Sequence, residues 1–228
     1  MAPTRLHLYY GGTFDPVHHG HLAVAHAVSV GLHAPLWLVP AADPPHKGPT
    51  RANATQRAQM LDLAVADLPG LAVDRRELRR DGPSYSFDTL RELRAEFGPA
   101  VPIVWMIGAD SLAELDTWHR WRELFDLAHL LVVERPGVAI DATSLARSAP
   151  EVAAEVAPRW CAPQALQESA HGRLAAFPLP ELRPESSTEL RRRIAAGEPW
   201  HDWVPAAVAG YIDRHRLYAQ TAPPSAQA

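Results

Sequence analysis

An apolar run, Leu6 to Tyr10, passes through two glycines into a helical pattern that begins at about Gly20. Between them lies Gly11-Gly12-Thr13-Phe14-Asp15-Pro16-Val17-His18-His19-Gly20-His21. A buried strand that turns sharply into a helix needs further strands beside it and gathers free backbone N–H groups at the helix's positive end. The glycines carry no Cβ, so a ligand can approach the backbone closely. His18 and His21 bracket the first helical turn and can face one bound group. Imidazole, with an ordinary pKa near 6.5, donates hydrogen bonds and takes up charge near neutral pH. A phosphate is the guest that this chemistry suits. The same histidines also read as cap or surface residues, or, with His19, as metal ligands. Three histidines this close cannot all reach one ion from a regular helix, and no acidic partner stands at helical spacing.

The rest of the chain repeats the strand-then-helix pattern. Apolar residues recur three or four apart from Gly20 to Leu32, with Gly31 near the stop. Leu36 to Val39 reads as a second strand, followed by a long loop from Ala41 to Ala52 whose paired prolines favour extended geometry. A helix is expected from about Thr55 to Asp67, and a short third strand at Leu71 to Asp74. Ser84-Tyr85-Ser86 opens another helix, with Ser86 the expected N-cap. Val101 to Ile107 has the unbroken apolar character of a central parallel strand, and Leu130 to Val133 reads as its neighbour. Residues 138 to 172 are alanine-rich and weakly patterned, with a helix expected near Pro150 to Ala157. Leu174 to Phe177 is the sixth candidate strand. Helices from Ser186 to Ala196, stopped by Gly197, and from Pro205 in its first turn to His215 complete the pattern. Strands alternating with helices imply an α/β, doubly wound parallel sheet. Ligands of such sheets bind beyond the carboxyl ends of the strands.

Bulk properties narrow the classes. The chain's 228 residues, 47% hydrophobic and 21% charged, suit one globular domain. We expect it to span 1–218, with a disordered tail at 219–228. A net charge of −4 gives no global field that favours nucleic acid or an acidic membrane surface. The single cysteine, Cys161, permits neither an internal disulfide nor a cysteine metal cluster, which agrees with a reducing cytoplasm. Neither a signal peptide nor a membrane-spanning run is recognisable. Oligomeric state is left open, a homo-oligomer included.

Two segments, taken together, carry a family resemblance. Gly12-Thr13-Phe14-Asp15-Pro16-Val17-His18-His19-Gly20-His21 resembles the His-x-Gly-His signature of the nucleotidyltransferase superfamily. Ser186-Ser187-Thr188-Glu189-Leu190-Arg191 resembles its second element, a hydroxyl-rich helix start before an arginine. Hydroxyls and N–H groups at a positive helix end, with a guanidinium fork, suit a polyphosphate. Taken alone, Ser186 with Glu189 is equally a capping box.

Further features resemble the bacterial nicotinate-nucleotide adenylyltransferases along nearly the whole chain. They are Pro44-Pro45-His46-Lys47, Pro83-Ser84-Tyr85-Ser86, Ile107-Gly108-Ala109-Asp110-Ser111 with Trp118, and Ala128 to Gly137 including Arg135. The resemblance implies a Rossmann-like nucleotidyltransferase fold, and His18 and His21 as catalytic residues. It implies that Gly12, Thr13, Phe14, Gly108, Asp110, Ser187, Thr188 and Arg191 bind ATP. It implies that His46, Lys47, Tyr85, Ser86, Trp118 and Arg135 bind nicotinate mononucleotide, with Mg²⁺ arriving on ATP and no dedicated metal site. Glu185 stands where the family is usually apolar; its carboxylate is expected to point away from the triphosphate. The alternatives are a sister enzyme acting on the amide mononucleotide or on phosphopantetheine, and a nucleotide-binding module without turnover.

Overall fold

A computed structural model describes residues 5–44, 49–134, 142–179 and 183–219. The six strands are β1 (His7–Gly12), β2 (Leu36–Pro40), β3 (Leu71–Val73), β4 (Ile103–Gly108), β5 (His129–Glu134) and β6 (Leu174–Pro178). They form one sheet in the order β3-β2-β1-β4-β5-β6, and every neighbouring pair is parallel. The order reverses between β1 and β4, where Tyr10 lies opposite Met106. A crevice at such a switch point is where doubly wound sheets hold ligands. Gly11 and Gly12 leave β1 on one side of it, and Gly108 ends β4 on the other.

The helices are α1 (His19–Gly31), α2 (Ala54–Val65), α3 (Ser86–Phe97), α4 (Ala109–Ala113), α5 (Leu124–Leu127), α6 (Ala142–Ser148), α7 (Pro150–Val156), α8 (Ser187–Ala196) and α9 (Ala206–His215). Strand residues alternate between two apolar cores. Leu8, Leu36, Leu38, Val104, Met106 and Leu131 meet side chains of α1, α2, α8 and α9 on one face. Tyr9, Val39, Ile103, Trp105, Leu130 and Val132 meet α3 to α7 on the other. Period-two alternation on a sheet covered twice explains why β4 and β5 read as unbroken apolar runs.

Several local expectations shift. The second helix starts at Ala54, because Asn53 accepts from the Gln56 N–H while the Gln56 side chain accepts from the Asn53 N–H. Tyr85, not Ser86, occupies the N-cap of α3, and Ser86 is already helical. Pro205 is the N-cap of α9 rather than part of its first turn. The weakly patterned stretch holds α6, α7 and 3₁₀ turns, the helix near Pro150 among them. Among the described residues no helix is long and apolar enough to cross a membrane.

Candidate active site

The turn after β1 is shaped by contacts that exclude side chains. A Cβ on Gly11 would sit 2.3 Å from the Trp105 ring, and one on Gly12 2.8 Å from the Phe14 ring. Phe14 adopts a left-handed backbone (φ 51°) and is buried, with its ring edge-on to His21. His18 caps α1 through its backbone and His21 lies in the helix's first turn. Their rings stack at 3.7 Å between centroids, 30° apart in plane. Gly20 makes this possible: a Cβ there would meet His18 Nδ1 at 3.0 Å. His18 is only 5% exposed, and its Nδ1 is buried without a hydrogen-bond partner. Burial, aided by the neighbouring His19, pushes its pKa down to about 4. His18 is therefore neutral near pH 7, and an anion drawn to this turn would favour its charged form.

Three residues to which the sequence assigns no role hold this turn. Asp15 is buried, and its carboxylate accepts from the N–H groups of Arg51 (2.8 Å) and Ala52 (3.1 Å) and from the Tyr218 hydroxyl (2.8 Å). Burial and the Asp15 carboxylate raise the Tyr218 pKa, so the hydroxyl stays a donor. Arg57, wholly buried, donates to the carbonyls of Thr13 (2.7 Å), Ala42 (3.1 Å) and Ala52 (3.2 Å). It thereby ties the turn after β1 to the loop after β2. Buried charges demand such full satisfaction. An Arg in the first turn of α2 and a Tyr near the last described residues carry no local sequence signal of this role.

The start of α8 docks on the same turn. Ser187 Oγ donates to the Pro16 carbonyl (3.0 Å), and Arg191 Nη1 donates to the Asp15 carbonyl (2.6 Å). Arg191 Nη2 also reaches Thr188 Oγ1 at 3.4 Å. Ser186 accepts from the Glu189 N–H, the first half of a capping box. The second half is missing because the Glu189 carboxylate pairs with Arg192 and Arg193. Two positive helix ends and the Arg191 fork thus converge where His18 and His21 stack. The Glu185 side chain is not turned out to solvent. It is 9% exposed, 3.9 Å from Arg183 Nε, with Oε2 buried and lacking a hydrogen-bond partner.

On the far side of the crevice Gly108 and Asp110 begin α4, both exposed. A Cβ on Gly108 would meet nothing within 4 Å, so space opens above the end of β4. Ser84, Tyr85, Ser86, Trp118 and His119 line a small cleft at the start of α3. The Tyr85 and His119 rings stack at 4.5 Å and 30°. His119, for which the sequence implied no role, is a wall of this cleft beside the expected Trp118. Ser84 binds the loop after β2: its Oγ accepts from the N–H groups of Ala42 (2.9 Å) and Asp43 (3.2 Å), and its N–H donates to the Asp43 carbonyl (2.8 Å). His46, Lys47 and Arg135 lie outside the described residues. Among those described, no group of three or more His, Cys, Asp or Glu is placed to hold a metal ion.

A phosphate-shaped turn and a separate aromatic cleft, both at the carboxyl ends of a 3-2-1-4-5-6 sheet, define a nucleotide-binding α/β protein. The cytidylyltransferase-like family matches residues 9–193. A protein of Stenotrophomonas maltophilia named "Probable nicotinate-nucleotide adenylyltransferase" is 48% identical over 96% of this chain and 99% of its own. One of the same name from Marinobacter nauticus is 43% identical over 93% and 96%. Among solved structures, a Plasmodium falciparum nicotinic acid mononucleotide adenylyltransferase complexed with NaAD shares the fold, with a TM-score of 0.70, 18% identity, and 94% and 97% coverage of the two chains. The chain belongs to the nicotinate-nucleotide adenylyltransferases, within the cytidylyltransferase-like family.

Proposed function

We propose that the protein transfers the adenylyl group of ATP to nicotinate mononucleotide, forming nicotinate adenine dinucleotide and pyrophosphate, a step of NAD biosynthesis. An oxygen of the mononucleotide phosphate attacks the α-phosphorus of ATP. The bond from that phosphorus to the bridging oxygen breaks, and pyrophosphate leaves with the electron pair. No protein nucleophile is needed, so catalysis is positioning and charge stabilisation.

His18 and His21 stabilise the charge on the phosphate oxygens at the reacting phosphorus. The backbone of Gly12, Thr13 and Phe14 approaches the same phosphates. Thr188 and Arg191 hold the leaving pyrophosphate, with Ser187 keeping the α8 start against the turn. Gly108 leaves room for the adenosine, and Asp110 accepts from its ribose hydroxyls. Trp118 offers a face to the pyridine ring, Tyr85 and Ser86 hold the nicotinate carboxylate at the positive start of α3, and His46, Lys47 and Arg135 flank the mononucleotide. Mg²⁺ fits as a passenger on ATP, taking most of its ligands from phosphate and water, and when bound it lowers the charge of the triphosphate.

The observation that carries this reading is the buried, unpartnered Nδ1 of His18, stacked on His21 in a glycine-shaped turn at the sheet's switch point. Pyrophosphate release with ATP and Mg²⁺ tests it, with nicotinate mononucleotide, its amide or phosphopantetheine as acceptor. Turnover is expected with the acid. Turnover confined to another acceptor, or to none, overturns the assignment.

A further inference from the structure

The strained residue of the phosphate turn is Phe14. A bulky side chain at φ 51° lies in the left-handed region that glycine favours, so its surroundings must hold it there. On one side of it Asp15 is fixed by the bonds of its carboxylate and by Arg191 on its carbonyl. On the other side the Thr13 carbonyl accepts from Arg57 Nη1 at 2.7 Å. Arg57 is wholly buried, and Nε and Nη2 of the same planar fork are spent on the Ala52 and Ala42 carbonyls. Three points from two loops therefore set the direction of the guanidinium.

The peptide between Thr13 and Phe14 is planar and trans, so its C=O and N–H point in opposite directions. With the C=O drawn to Arg57, the Phe14 N–H is turned away from the guanidinium. That N–H takes no hydrogen bond among the described residues, although Phe14 is only 2% exposed. A buried donor without a partner costs free energy until one arrives. An anion in the turn supplies it.

We propose that Arg57 is a positioning residue for the adenylyl transfer inferred above, on which this role rests: by holding the Thr13 carbonyl it aims the Phe14 N–H at a phosphate oxygen of ATP. Arg57 itself touches no substrate. A donor fixed in advance needs no reorientation when charge develops on the oxygen, and its misplacement is felt in the rate. Lysine keeps the charge, but one nitrogen on a flexible stem cannot stand in for a rigid fork of three. The guanidinium also holds Ala42, whose N–H donates to Ser84 Oγ at 2.9 Å. Both ends of the site thus rest on this support, while their ligand contacts stay separate.

The test sets full-length Arg57→Lys against Arg94→Lys. Arg94, in the last turn of α3, donates to the carbonyls of Gly98, Val101, Leu127 and Ala170, all before the amino ends of β4, β5 and β6 and none in the site. Both variants lose a fork that ties several carbonyls, so both are expected to lower the unfolding temperature. Only Arg57→Lys is expected to lower kcat, by about 10- to 100-fold. An unchanged kcat in Arg57→Lys, or an equal fall in Arg94→Lys, overturns the role. The second measurement needs no acceptor and decides even where Arg57→Lys does not fold. The Phe14 amide proton resonance of the wild type is expected to move downfield on saturation with α,β-methylene ATP and Mg²⁺, and to stay in place in Arg57→Lys. No movement in the wild type, or the same movement in the variant, overturns the proposal. A wild type that shows the shift but is inactive on nicotinate mononucleotide overturns the functional reading instead, and the amide still judges Arg57.

Discussion

The two ends of the active site are built in opposite ways. The phosphate end is built round a contiguous stretch, Gly11 to His21, whose backbone path is fixed by packing and by buried bonds from Asp15 and Arg57, with the start of α8 docked on it. The aromatic cleft, proposed above to hold the mononucleotide, is assembled from three segments far apart in the chain. Asp43 reaches Ser84, Tyr85 stacks on His119, and Trp118 closes the cleft. The first end offers backbone N–H groups and imidazoles that any polyphosphate can use. The second offers ring faces and one helix start, which under the proposed function would discriminate among acceptors.

The largest effect is expected from His21→Ala. Removing a preorganised charge-stabilising group should lower kcat about 10²- to 10³-fold, with thermal unfolding little changed. An unaltered kcat would break the division of labour at its strong end. Arg191→Ala comes next. It loses a charge-assisted fork and its bond to the Asp15 carbonyl, and a fall in affinity for ATP of about 10- to 100-fold is expected by calorimetry. Trp118→Ala should act at the other end alone, raising the KM for the mononucleotide by about tenfold and leaving that for ATP in place.

Two smaller effects probe the buried groups. His18 and His129 are both held near pKa 4 by burial, against 6.5 for free imidazole. Between pH 4 and 6.5 the folded chain therefore binds fewer protons than the unfolded chain. Stability should rise with pH across that window, by on the order of 3 kcal/mol per histidine at most, and level off above it. Urea unfolding at several pH values measures this. An ATP analogue should flatten the His18 part and leave that of His129, whose ring is spent on Ser169 and Arg173. Last, Tyr218→Phe removes one buried hydrogen bond to Asp15 and should lower stability by about 1 kcal/mol.

The contrast also explains what was legible in the sequence. The phosphate end could be read because its requirements are local: two glycines, a helix start and a His-x-Gly-His spacing stand within one short run. Strand and helix alternation likewise announced the sheet. The supports of that turn could not be read. Arg57 looks like a surface arginine on an amphipathic helix until the fold carries it under two loops. Tyr218 meets Asp15 only across the whole chain. His119 carries no local signal, because only the fold brings its ring against Tyr85. Glu185 was expected to point away from the triphosphate; its side chain is packed inside beside Arg183, and its backbone carbonyl lies close to Gly20.

Under the proposed function, the two ends serve two substrates independently. Calorimetric titration of a non-hydrolysable ATP analogue and of nicotinate mononucleotide into the wild type, Arg191→Ala and Trp118→Ala tests it most directly. The expected result is a crossed pattern: Arg191→Ala weakens only the analogue, and Trp118→Ala weakens only the mononucleotide. Equal weakening of both ligands by either variant, or weakening of the wrong one, would contradict it.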